Sequence, residues 1–236
     1  MFVLGLDPAR AGGGIMVKGR DVIVAMHWRT HIVAGNSCFM LTVAGGGVPY
    51  HIRGLRTPWE LGLVIRKRLA PLLGGSPMHI AAEAAHIGRN PRTGLALSRF
   101  GGALVAPLEG LDPGCATSWV EPDQWRNGIL RKKWWKMQAN EQGKQASMTV
   151  ALRIIREKIA SDPWALSMFT ENPKWLKDES KRIFLSKREA AKAESALVMP
   201  SKFPGLAQLA SLCGGEEHVF DAAGIALWKI HGIEAL

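Results

Sequence analysis

Phe2-Val3-Leu4-Gly5-Leu6-Asp7-Pro8-Ala9-Arg10-Ala11-Gly12-Gly13-Gly14-Ile15-Met16-Val17 is an apolar run that ends on a carboxylate, turns through glycines and returns as a second apolar run. The pattern predicts a buried strand, a tight connection and an antiparallel return strand. A strand buried on both faces excludes water, so an acid at its mouth is held where a cation or a reacting group can meet it. Asp7 is therefore the first candidate functional residue. Asp before Pro is also common turn chemistry, which would explain Asp7 without any function.

The glycines admit a phosphate cradle as an alternative, as in actin-like ATPases, which also open with strand, Asp and glycine turn. The spacing is neither that of a P-loop nor that of a dinucleotide fingerprint, and no strong second copy follows. At 236 residues and 47% hydrophobic, the chain can bury the core of one decorated domain. Thirty Lys and Arg against twenty Asp and Glu give a net charge of +10, which favours polyanionic partners, nucleic acid before acidic membranes. The apolar stretch 94–111 is interrupted by Arg99 and Glu109 and diluted by glycine, so it reads as a core helix and no membrane partner is expected. The start lacks the features of a secretory signal, and Cys38, Cys115 and Cys213 form no CxxC pair. Both features fit a cytoplasmic protein with reduced thiols.

Onward from the return strand, residues 21–28 predict a third antiparallel strand. Short apolar pieces at 38–43 and 48–52 look like an extra hairpin or a long loop. Residues 59–73 have helical spacing, with Thr57 able to cap and Pro58 suited to the first position. Met78-His79-Ile80-Ala81-Ala82 then ends on Glu83, as the first strand ends on Asp7. A donor-rich loop with His86, Arg89 and Arg92 follows, and Thr93 can cap a helix over 94–106. A strand at 115–120 and a short helix at 122–127 come next. Arg131, Lys132, Lys133 and Lys136 surround Trp134 and Trp135, a pattern that fits nucleic-acid contact or a charged loop pinned by core tryptophans. A helix is expected over 144–159. The Pro- and Lys-rich stretch 162–215 reads as an insertion, and a last helix over 216–230 begins with Glu216, Glu217, His218 and Asp221.

Asp7, Glu83, His218 and Asp221 come from three places that a sheet with a closing helix can unite. His218 and Asp221 share a helix face at i, i+3, and Glu217 competes as a residue four before Asp221. Carboxylates that converge without Arg or Lys partners repel one another, and one or two divalent cations on oxygen ligands would relieve this. Asp7, Glu83, His218 and Asp221 are thus the candidate metal ligands, for Mg2+ or Mn2+, with two such ions suited to phosphodiester hydrolysis. As a helix-start residue, His218 has an ordinary explanation too.

Four motifs carry a resemblance: Leu4-Gly5-Leu6-Asp7-Pro8 with its glycine turn; Ala82-Glu83 with the following helix; Val120-Glu121-Pro122 through Trp125-Arg126; and His218-Val219-Phe220-Asp221-Ala222-Ala223. Their order resembles the RNase H-like superfamily, and within it the phage-type RuvC Holliday junction resolvases. The resemblance covers about residues 1–30, 58–160 and 216–232. It implies an α/β fold, an RNase H-like mixed sheet with three antiparallel N-terminal strands followed by parallel strands and flanked by helices. It also implies one nuclease domain with insertions at about 29–57 and 162–215, acting as a homodimer on branched DNA, the four-way junction, in the cytoplasm of a bacterial or phage-infected cell. Arg126 and Lys144 stand where the family has basic residues near the scissile phosphate, so Lys144 joins the catalytic candidates. His86, Arg89, Arg92, Arg126, Arg131, Lys132, Lys133 and Lys136 are the candidate DNA contacts. The family has an acid where His218 stands and an aromatic wedge where this chain has His86. Rival readings are a terminase- or transposase-like nuclease of the same superfamily, a noncatalytic DNA-binding protein, and an actin-like kinase.

Overall fold

The computed structural model describes residues 1–33, 35–85, 91–111, 117–130, 139–140, 143–145, 184–185 and 187–234. The chain forms two compact units, one of Met1–Ile129 with Met199–Leu236 and one of Leu130–Val198.

The first unit is a mixed α/β structure on a seven-stranded sheet. Strands β1 (Phe2–Asp7), β2 (Gly12–Lys18), β3 (Asp21–Val33), β4 (Asn36–Ala44) and β5 (Tyr50–Leu55) form an antiparallel meander. Strands β6 (Met78–Glu83) and β7 (Thr117–Val120) continue on the other side of β1, both parallel, giving the order β5-β4-β3-β2-β1-β6-β7. The period-two alternation of β1 divides its side chains between two layers. Phe2, Leu4 and Leu6 join a core with α1 (Pro58–Leu73) and α2 (Pro91–Glu109), through Leu61, Ile65, Phe100 and Leu104. Each such fully buried side chain contributes about 1.5–3 kcal/mol. Gly5 belongs to the opposite face, where α6 (Glu216–Glu234) lies on β1, β2 and β6. A Cβ at Gly5 would collide with the Ala222 carbonyl, so the glycine lets the helix lie flat on the sheet. Beside it, α5 (Leu206–Cys213) covers β3 and β4.

Several expectations change. The third strand runs five residues past Trp28, because Arg29 to Val33 pair with Asn36 to Met40 instead of looping out. The region 29–57 therefore widens the main sheet. The α2 helix starts at Pro91, which suits a first turn where the missing N–H is unneeded, so Thr93 lies inside the helix rather than capping it. Residues 206–213, read as part of an insertion, pack on the main sheet. In the second unit β8 (Ala139–Asn140), β9 (Gly143–Gln145) and β10 (Phe184–Leu185) form a small antiparallel sheet, so Lys144 sits in a strand and not at a helix start. The rest of the expected 144–159 helix lies outside the described residues. Helix α4 (Lys187–Lys202) precedes α5 in the chain. Cys38 and Cys213 are buried free thiols, and Cys115 lies outside the described residues. Among the described residues, no helix is long and apolar enough to cross a membrane.

Candidate active site

Strand register brings the first two acids together. Leu6 on β1 is beside Ala82 on β6, so Asp7 and Glu83 are the next residues of two parallel neighbours. Asp7 also pairs with Gly13 of β2, and Gly13 with His27 of β3. The first turn of α6 descends onto this row. A Cβ at Gly13 would stand 2.6–2.8 Å from the backbone of His218 and Val219, so the glycine is where strand and helix meet.

That approach places His218 against the sheet. Its Nδ1 is 2.7 Å from Oδ2 of Asp7, and its Nε2 is 3.3 Å from Oε1 of Glu217. Behind it lies the His27 ring, stacked at a centroid distance of 5.9 Å and an angle of 11°. Burial holds the His27 imidazole below its ordinary pKa, and the neighbouring His218 adds to that effect. His218 is thus clamped by two carboxylates and a ring.

Glu83 and Asp221 are organised by α3 (Pro122–Ile129). Trp125 is fully buried, and its indole N–H donates to Glu83 Oε2 at 2.8 Å. Gly224 of α6 leaves room for the Trp125 ring, which a Cβ there would strike. Arg126 lies over that ring, 5.0 Å from its centroid, and one Nη2 reaches both Glu83 Oε2 at 3.6 Å and Asp221 Oδ2 at 3.9 Å. Burial and then the nearby Asp7 carboxylate push the Glu83 carboxyl up to about 7, against the pull of Arg126 and the Trp125 hydrogen bond.

The four expected ligands therefore gather at one end of the sheet, linked as Asp7 with His218 and Glu83 with Arg126 and Asp221. The expectation that they converge without a cationic partner does not hold, since Arg126 supplies one. Among the described residues, no three His, Cys, Asp or Glu side chains form a ready metal-binding group. The donor chemistry nonetheless fits a hard divalent ion, being three carboxylates and an imidazole.

Of the other candidates, Arg92 is exposed in the first turn of α2, and Lys144 belongs to the second unit. His86, Arg89, Arg131, Lys132, Lys133 and Lys136 lie outside the described residues. His27 and Trp125 are the site residues that sequence reasoning missed. Trp125 stood in a recognised motif with no role attached, and His27 faces the site only through the β2–β3 register.

The chain matches no protein-family model and no curated protein. Among solved structures it is similar to acetate kinase from Entamoeba histolytica, at a TM-score of 0.38 and 8% identity, over 69% of this chain. The match takes in 47% of the kinase, so this chain spans about half the length of that relative.

Proposed function

We propose that the protein is a metal-dependent endonuclease of the RNase H-like superfamily, of RuvC type, which hydrolyses phosphodiester bonds in branched DNA as a homodimer. The observation that carries this reading is the meeting of Asp7 and Glu83, at the ends of adjacent parallel strands, with the His218–Asp221 face of α6. The strand series β3-β2-β1-β6-β7, three antiparallel and then two parallel, supports the sheet that the sequence resemblance implies. A net charge of +10 suits a nucleic-acid substrate, and such a substrate places the enzyme in the cytoplasm.

Asp7, Glu83 and Asp221 would hold the ions, with His218 as ligand or as the group that orients Asp7. When bound, two divalent ions supply an activated water and stabilise the leaving oxygen. The chain does the rest. Trp125 fixes the rotamer of Glu83, Arg126 offers a guanidinium to a phosphate oxygen, and the His27 stack keeps the imidazole from turning away from Asp7.

The test is incubation of purified protein with labelled four-way junction, linear duplex and single-stranded DNA, each with and without Mg2+ or Mn2+. Symmetric cuts in the junction that need the cation are expected. Cleavage of linear duplex alone would favour a terminase- or transposase-like enzyme, and binding without any cleavage a noncatalytic protein.

A further inference from the structure

The strands β3, β4 and β5 carry the sheet well beyond the site, and their chemistry is one-sided. From Val22 to Trp59 the chain holds no Asp or Glu, although Arg29, Arg53, Arg56 and the three histidines His27, His31 and His51 fall there. The register aligns this material with the carboxylates. Asp7 pairs with Gly13, Gly13 with His27, His27 with Thr42 and Thr42 with His51, a single row running from β1 to β5. Side chains two residues apart share a face, so Arg29 and His31 follow His27 on the face that carries Asp7, and Arg53 follows His51 at the point where the β4–β5 register shifts. All four of Arg29, His31, His51 and Arg53 are exposed. Arg29 is close enough to His27 to help hold its pKa down. His51 is fixed by a 2.9 Å hydrogen bond between its Nδ1 and the hydroxyl of the buried Thr42. Ala25, His27, Thr42 and Ala44 are buried on this face, where α5 packs on β3 and β4, so what it exposes is Arg29, His31, His51 and Arg53, a carboxylate-free basic rim complementary to a polyanion that must deliver one phosphate to the acids.

We propose that this exposed basic rim of β3 and β5 is a phosphate-binding platform that holds a duplex arm of the substrate on its way to the carboxylates. The proposal rests on the reading of the site as a DNA nuclease. Adjacent strands are about 4.8 Å apart, so β5 is about 19 Å from β1. At about 3.4 Å per base pair, Arg53 meets the backbone five to six pairs from the scissile phosphate. Arg29, on β3, meets it nearer.

The experiment measures binding of a fluorescent four-way junction in EDTA, where no cutting occurs, over a series of salt concentrations. Arg29→Ala/Arg53→Ala should lower the slope of log K against log salt by about two units, since each phosphate contact contributes about 0.9. At moderate salt its affinity should fall about tenfold or more. Arg29→Lys/Arg53→Lys should restore most of the slope, which a folding defect would not permit. Trimming the junction arms to four base pairs should weaken the wild type and leave the double Ala variant unaffected. If the wild type cuts junctions but the double Ala variant keeps the wild-type slope and arm-length dependence, the platform is overturned and the nuclease reading stands. A wild type that neither binds nor cuts any DNA removes both.

Discussion

Oδ2 of Asp7 and Nδ1 of His218 lie 2.7 Å apart although 211 positions separate them, so the last helix is fastened to the first strand at the acid that ends it. The bond sets the orientation of the carboxylate before any cation arrives. It also occupies the ring nitrogen nearer the strand, leaving Nε2 beside Glu217.

If orienting Asp7 is the main task of His218, His218→Ala should weaken Mn2+ binding about 10–100-fold, as loss of an outer-sphere partner usually does. His218→Asn, whose amide can still donate to Asp7, should retain most of the affinity. Titration calorimetry with Mn2+ on the three proteins reads this directly. Equal losses in the Ala and Asn variants would make the imidazole itself a ligand.

Gly13→Ala should destabilise the protein by about 1–3 kcal/mol, because its Cβ would press on the backbone of His218 and Val219, which cannot swing aside as a side chain would. The first turn of α6 must then lift, and the Asp7–His218 bond lengthens. Gly102→Ala is the control, since a Cβ there meets nothing within 4 Å and a helical Gly→Ala change gains about 0.5–1 kcal/mol. Urea unfolding should separate the two variants with opposite signs.

The raised Glu83 carboxyl makes the metal-free protein pH-sensitive. With a folded value of about 7 against an ordinary 4.5, the native state binds more protons than the unfolded chain between those limits. The stability due to this group is complete below about pH 4.5 and is lost as pH rises through about 7. Glu83→Gln, which still accepts from Trp125, should therefore gain Tm over the wild type at pH 8 relative to pH 5, in EDTA. A pH-independent difference would mean that Glu83 ionises as an ordinary carboxylate.

Arg126 and a bound cation compete for the same acids, Glu83 and Asp221. Arg126→Gln should accordingly tighten Mg2+ binding several-fold while slowing DNA cleavage, as the phosphate loses a cationic partner. Weaker Mg2+ binding in this variant would show that the guanidinium builds the site rather than guards it.

The acids that end β1 and β6 were legible because each closes an apolar run, although Asp before Pro has an ordinary turn explanation as well, and His218 with Asp221 because i, i+3 spacing is a local property. The length of β3 was not. Arg29, Thr30 and His31 look like loop residues until β4 supplies their hydrogen bonds. Leu206–Cys213 was hidden in a Pro- and Lys-rich stretch, although its buried Leu206, Ala210 and Cys213 make it part of the packed structure. Arg126 reaches Glu83 and Asp221 only because Trp125 fits against Gly224, a contact between two helices far apart in sequence. No local pattern carries that distance.

The central claim is that Asp7, Glu83 and Asp221 form a hydrolytic metal site. Its most direct test is cleavage of a labelled four-way junction by Asp7→Asn, Glu83→Gln and Asp221→Asn in Mg2+, with junction affinity measured in parallel in EDTA. Each amide keeps the shape of its acid and removes the charge that a divalent ion needs. The account predicts that all three lose cleavage and bind the junction within a few-fold of wild type, whereas cutting at the wild-type rate by any one of them would contradict it.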